Sequence, residues 1–416
     1  MPIKFARTAV AASMAAVLLA GLAACSGDDD SDSGGQVTLV FRQFDPESEI
    51  GGLKTAIDTW NTGHPDIQVK LETLSPNNVQ QFAREANSGS GPDIDQIAFA
   101  DVASIAKPKI LKPLDGYLKD TGDLLATDMV TVDDKVWALP WTADTMALVY
   151  NKEALSKAGI TAPPTTWEDL AADAAKIKDG FCFPAAGSAT SAQWFAINYY
   201  IWSHGGTLVQ KDTSGAWSAG VTEQQLTSAL DFFNGLFTSG ATGKALQSVD
   251  NYSDPSIVNG LATGSCAMSY MPPATFATLT KQAGDKVTSA PMPGGLTDGN
   301  THLGGRALGI NANSKHPDQA WQVIQYLAGA DTFKTYTQYP AAKSTLTQVD
   351  VPAAQKGYVE QLAHSKSMGR YIGSDMTVAS MQQLINQQFS AVYSGQSTSA
   401  DAAKAILDGI AKGLKG

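Results

Sequence analysis

The apolar positions of this chain switch between two periods, and the switching predicts its elements. Residues 37–41, Val37-Thr38-Leu39-Val40-Phe41, form a short apolar strand. After a loop at 42–49, Leu53, Ala56, Ile57 and Trp60 recur at helical spacing. His64-Pro65 ends that helix, and residues 67–71 alternate as a second strand. A helix is expected near 79–86, a Gly-rich stop at 89–92 and a third strand over 93–99. This strand–helix order implies a mostly parallel, doubly wound sheet.

Further on, residues 135–140 and 147–150 read as strands. Thr165 and Glu168 have capping-box spacing and place a helix start there. Cys182 sits in a strand-like run, 180–184, before the aromatic segment 193–202. Helices are expected near 223–238 and 256–262, and a strand over 264–270 ends at Pro272-Pro273. The Gly-rich stretch 291–305 breaks the pattern. A strand at 308–310 precedes a helix at 317–328, and the chain from Pro352 reads as mostly helical. No internal repeat is visible.

The first residues have a different character. Lys4 and Arg7 precede an apolar run, 9–22, that closes on Leu22-Ala23-Ala24-Cys25. That pattern reads as a secretory signal peptide, 1–24, and the run is shorter than the ~20 residues a membrane span needs. The four residues ending at Cys25 resemble the lipobox of bacterial lipoproteins. The resemblance implies cleavage before Cys25, its acylation, and lipid anchoring at the outer face of the bacterial cell membrane. A secreted protein with an incidental cysteine is the plainer alternative. Residues 26–35 are Ser, Gly and Asp, so 25–36 is expected to be a flexible tether.

Composition narrows the class. The chain is long enough for two domains, and 43% of its residues are hydrophobic. A formal net charge of −11 repels phosphate backbones and argues against nucleic acid. Of the three cysteines, Cys182 and Cys266 remain after Cys25, outside the cytoplasm where pairing is allowed. A disulfide and two isolated buried thiols are both open. No cysteine–histidine cluster has metal spacing, and no cofactor is expected.

A longer pattern then becomes visible. Pro140-Trp141-Thr142, Ala147-Leu148-Val149-Tyr150-Asn151, Leu155 and Lys157 follow one spaced signature, from which only Trp141 departs, being bulkier than the usual aliphatic. Gly91-Pro92-Asp93-Ile94, the segment 164–170, Gly304-Gly305 with Leu308-Gly309-Ile310-Asn311, and Ala320-Trp321 follow in order. Together they resemble the extracellular solute-binding proteins of family 1, the maltose-binding-protein-like receptors of ABC sugar importers. The resemblance covers about residues 37–416. It implies a two-lobe periplasmic-binding-protein-like α/β fold, each lobe a mostly parallel sheet flanked by helices. The implied first lobe is 37–143 plus 290–340, and the second 144–289 plus 341–416. It also implies a monomer that holds a small carbohydrate, a di- or oligosaccharide, in the cleft and delivers it to ABC permease subunits.

Sugar recognition needs aromatic faces, carboxylates, amides and arginine on loops at the carboxyl ends of strands. That rule selects Phe44, Asp45, Asp101 and the crossing 141–144, with Trp141 and Asp144 as the main contacts. For Trp141 core packing is the competing reading, and for Asp144 a solvated hinge position. Trp194, Tyr270, Gly305 with Arg306, and Arg370 complete the expected set, with Trp202 read as core. Pro272-Pro273-Ala274 and Met381-Gln382-Gln383 depart from the tryptophans of maltose-binding relatives, so maltodextrin specificity does not carry over. Arg42, Arg306 and Arg370 leave room for a more polar ligand. A secreted glycosidase is the rival reading and needs two carboxylates roughly 5–9.5 Å apart. No HExxH, GxSxG or P-loop motif marks an enzyme.

Overall fold

The computed structural model describes residues 36–47, 49–74, 79–188, 190–294, 300–371 and 373–415. The expected signal peptide, the tether up to residue 35 and Cys25 lie outside the described residues. The chain opens with β1 (Val37–Gln43), α1 (Gly51–Gly63), β2 (Ile67–Thr73), α2 (Val79–Asn87) and β3 (Ile94–Ala98). Two short helices, α3 (Val102–Ala106) and α4 (Thr127–Val130), lead to a small hairpin, β4 (Thr131–Val132) and β5 (Lys135–Val136). Then come β6 (Leu139–Asp144), β7 (Ala147–Asn151), α5 (Lys152–Lys157), α6 (Trp167–Ala175) and α7 (Thr190–Ser203). A second hairpin, β8 (Thr207–Lys211) and β9 (Trp217–Gly220), precedes α8 (Glu223–Thr238), α9 (Pro255–Thr263) and β10 (Met268–Met271). Helix α10 (Pro273–Ala283) and β11 (Val287–Ala290) lead to the long strand β12 (Thr301–Ile310). The remainder is helical except for β13 (Tyr339–Pro340) and β14 (Ser365–Ser367).

Two main sheets, each with its own helices, make the two-lobe α/β architecture. The first runs β13-β6-β12-β3-β1-β2, with β14 added on β12, and the second runs β10-β7-β11. Strand direction departs from the expected mostly parallel sheets. β1 is parallel to β2 and β3, but β12 is antiparallel to both β3 and β6. In the second sheet both pairings are antiparallel, with Leu148 opposite Tyr270 and Ala290. Helical crossovers from β1 to β2 and from β2 to β3 leave those strands parallel, whereas β12 follows β11 of the second sheet in the chain.

The helical stripe of α1 buries Leu53, Ala56, Ile57 and Trp60, and Leu53, Ile57 and Trp60 share one core with Leu39, Val323, Ile324 and Leu327. Each such large apolar side chain contributes about 1.5–3 kcal/mol relative to exposure. The Gly-rich stretch read as a break becomes strand from Thr301 onward. Gly305 permits this: its φ is +139°, and a Cβ there would collide with the Thr142 carbonyl oxygen. One capping residue also shifts. Thr166, not Thr165, caps α6 by accepting from the Asp169 amide at 3.0 Å. Phe181 makes a single parallel bridge to Met268 rather than a strand, yet this brings Cys182 and Cys266 together. The two are joined as a disulfide with Cα atoms 6.0 Å apart.

Candidate functional site

A cavity of about 450 Å³ opens at the carboxyl ends of β1, β3 and β6. One wall carries Phe44, Asp45, Glu49, Thr142, Asp144 and Arg306; the facing wall is Pro272-Pro273-Ala274. The first wall depends on a bulge. Arg306 pairs with Thr142, but Ala307 pairs with Pro140, so Trp141 is the extra residue of β6. The bulge sends the Trp141 indole into the core and leaves Thr142, Asp144 and Arg306 on the cavity.

Asp45 is the anchor of this wall, although only 5% exposed. Gln96 donates to its Oδ2 at 2.6 Å and the Tyr336 hydroxyl at 3.0 Å. Arg306 Nε and Nη2 both stand 3.3 Å from Oδ1. The Arg306 guanidinium lies over the Phe44 ring at 4.8 Å, a cation–π contact that fixes both groups. Phe44 is held in turn, since its amide donates to Gln96 Oε1 at 2.8 Å. Burial and the nearby Asp45 charge push the Glu49 carboxyl up, against a smaller pull from Arg306.

Asp144 ends β6 directly over Gly304, where a Cβ would strike its carboxylate. Arg306 Nη1 is 3.9 Å from Asp144 Oδ2 and His302 Nε2 is 3.7 Å from Oδ1. Burial pushes this carboxyl up, but the hydrogen bond and charge of His302 and the charge of Arg306 outweigh it and hold the group below its ordinary value. Behind it, the Tyr199 hydroxyl bonds His302 Nδ1, and Phe195 stacks on the ring at 4.3 Å.

Of the expected site residues, the structure brings Phe44, Asp45, Asp144 and Arg306 together. The others are placed elsewhere. Trp141 is 1% exposed, stacks on Tyr336 and donates from Nε1 to the Leu327 carbonyl at 2.8 Å. It supports Asp45 through Tyr336 and offers no stacking face. Trp194 is buried edge-on against Tyr371, and Tyr270 is buried with its hydroxyl donating to the Ala192 carbonyl at 2.9 Å. Neither reaches the cavity, because the second lobe uses these rings to fill its core. Asp101 is half-buried in the turn after β3 and outside the cavity lining; burial raises its pKa. Gly305 acts through backbone packing, and the Arg370 side chain lies outside the described residues. Arg42 is buried between Asp95 and Glu85 and faces no cleft.

Sequence reasoning missed Glu49, His302 and Gln338. Glu49 and Gln338 sit in unpatterned loops, and a lone histidine in a Gly-rich stretch carries no spacing signal. Among the described residues no group of three or more His, Cys, Asp or Glu could hold a metal, and no helix is long and apolar enough to cross a membrane.

Known proteins resemble this chain in sequence and fold. A binding protein of Brucella abortus is 27% identical over 336 residues, covering 77% of this chain and 78% of its own. The sn-glycerol-3-phosphate-binding periplasmic protein of Yersinia pestis is 31% identical over 188 residues, 40% of this chain and 41% of that one. The GacH receptor of Streptomyces glaucescens, solved unliganded and with acarbose, superposes with a TM-score of 0.70 at 24% identity. The match covers 91% of this chain and 98% of the receptor. The family model of the bacterial extracellular solute-binding proteins matches residues 46–332, and this chain belongs to that family.

Proposed function

We propose that this chain is an extracytoplasmic, lipid-anchored binding protein that captures a carbohydrate by lobe closure and hands it to the permease of an ABC importer. The observation that carries the reading is the makeup of the cavity. One wall offers an aromatic face at Phe44, carboxylate acceptors at Asp45, Glu49 and Asp144, and a guanidinium at Arg306, while the facing wall is apolar. A pyranose needs both: hydroxyl donors meet the carboxylates, and its C–H face meets Phe44 and the prolines. The acarbose-bound receptor supports the same ligand class. The lobes proposed are 37–143 with 290–340 and 144–289 with 341–416. Hinge closure buries the sugar between them. Cys25 carries the lipid, and the chain acts as a monomer without a cofactor.

A thermal-shift screen over disaccharides, short oligosaccharides, amino sugars and polyols tests this. A ligand at a hundred times its dissociation constant stabilises by about 2.7 kcal/mol, a visible shift. Small-angle scattering with that ligand should give a smaller radius. No shift with any sugar, or turnover of the sugar, would defeat the reading.

A further inference from the structure

We propose that the cleft, on the reading above that it holds a sugar, takes a ligand bearing a basic nitrogen ahead of its neutral counterpart and rejects phosphorylated and carboxylated sugars. Three independent features of the lining agree. The cavity is lined by three carboxylates, Asp45, Glu49 and Asp144, against one guanidinium. That guanidinium is spoken for. Its Nε and Nη2 face Asp45 at 3.3 Å, its Nη1 lies 3.9 Å from Asp144 and 3.5 Å from the Gly305 carbonyl, and its face covers Phe44. An incoming anion would compete with these contacts for Arg306.

The facing wall weakens the other usual anion receptor. Helix α10 points its start at the cavity, and a helix start ordinarily turns free amide donors and a positive dipole end toward an anion. Here Pro272 is the N-cap and Pro273 the first helical residue, so two of those donors do not exist.

Glu49 supplies the positive side of the argument. It forms no ion pair with a neighbour among the described residues, while burial and the Asp45 charge disfavour its ionised form. An ammonium beside Glu49 would relieve both costs and leave the Arg306 contacts intact. A phosphate there would add negative charge to a wall that already carries three carboxylates.

Calorimetry on the mature protein at pH 7 tests the order with matched probes: D-glucose, D-glucosamine, D-glucuronate and glucose 6-phosphate, then cellobiose against the chitosan dimer. The amino member of each set should bind about tenfold tighter than its neutral parent, and the acid and phosphate at least about tenfold weaker. Glu49→Gln should bring the amino and neutral affinities toward equality, with the ligand-free melting temperature confirming an intact fold. Asp144→Asn should do the same from the other side. Equal binding of amino and neutral members, or phosphate binding as tightly as the parent, would overturn the charge preference while leaving the carbohydrate reading in place. Failure of every sugar to bind would overturn both.

Discussion

Two groups on the first sheet share one composition and differ in use. Arg42 lies between Asp95 and Glu85 with its guanidinium over Phe82 at 4.4 Å. Arg306 lies between Asp45 and Asp144 with its guanidinium over Phe44 at 4.8 Å. The Arg42 side chain is 6% exposed and its Asp95 contact is 2.7 Å; the Arg306 side chain is 30% exposed and its contacts are 3.3–3.9 Å. The first group is closed on itself and holds β1, β3 and α2 together. The second is open on one side, with longer contacts that a ligand's hydroxyls can join. Residue types alone do not separate a structural ion cluster from a binding one. Exposure and contact length do.

Arginine removal should break the comparison most clearly. Arg42→Ala leaves the buried Asp95 carboxyl without its ion-pair partner, and should cost about 3–5 kcal/mol of stability. Ligand affinity of the protein that still folds should be unchanged. Arg306→Ala should behave in reverse, with a loss of about ten- to a hundredfold in affinity and a smaller stability change. Denaturant unfolding and calorimetry on both variants check this. Equal stability losses, or lost affinity in Arg42→Ala, would erase the distinction.

Asp144→Asn sharpens it next. Losing a charged acceptor should cost about 1.5–3 kcal/mol of binding free energy and leave ligand-free stability nearly unchanged. Since His302 and Arg306 hold the Asp144 carboxyl low, the affinity difference between wild type and Asp144→Asn should persist as pH falls and be lost only below the ordinary value of 3.8. A difference that halves already near pH 6 would mean another group governs it.

The smallest effect concerns Asp95. Burial pushes its carboxyl up to about 6, even with Arg42 beside it. The folded state therefore holds this proton more tightly than the unfolded chain does. Its contribution is most favourable below pH 3.8 and is lost as pH rises through about 6, at no more than about 1.4 kcal/mol per pH unit. The difference in stability between wild type and Asp95→Asn, followed from pH 4 to 6.5, should show this slope. A pH-independent difference would refute it.

The sequence by itself determined the order of elements in the first lobe. Leu53, Ala56, Ile57 and Trp60 mark the buried stripe of α1, and the strands at 37, 67 and 94 fall where their patterns place them. It also determined the loops on which Phe44, Asp45 and Asp144 stand, because strand ends in an α/β sheet can be read from local periodicity. Arg306 was legible through the paired glycines before it. Tertiary structure alone decided which aromatic rings face solvent. Trp141, Trp194 and Tyr270 occupy plausible positions along the chain, yet a β-bulge and the packing of the second lobe turn all three into the core. Tertiary structure also decided which arginine closes on its acids, brought Glu49 and His302 to the site, and set Pro272-Pro273 opposite. Periodicity records which residues must be buried within one element. The identity of the partner that buries them, and the charge left facing the cleft, depend on contacts between segments more than a hundred residues apart.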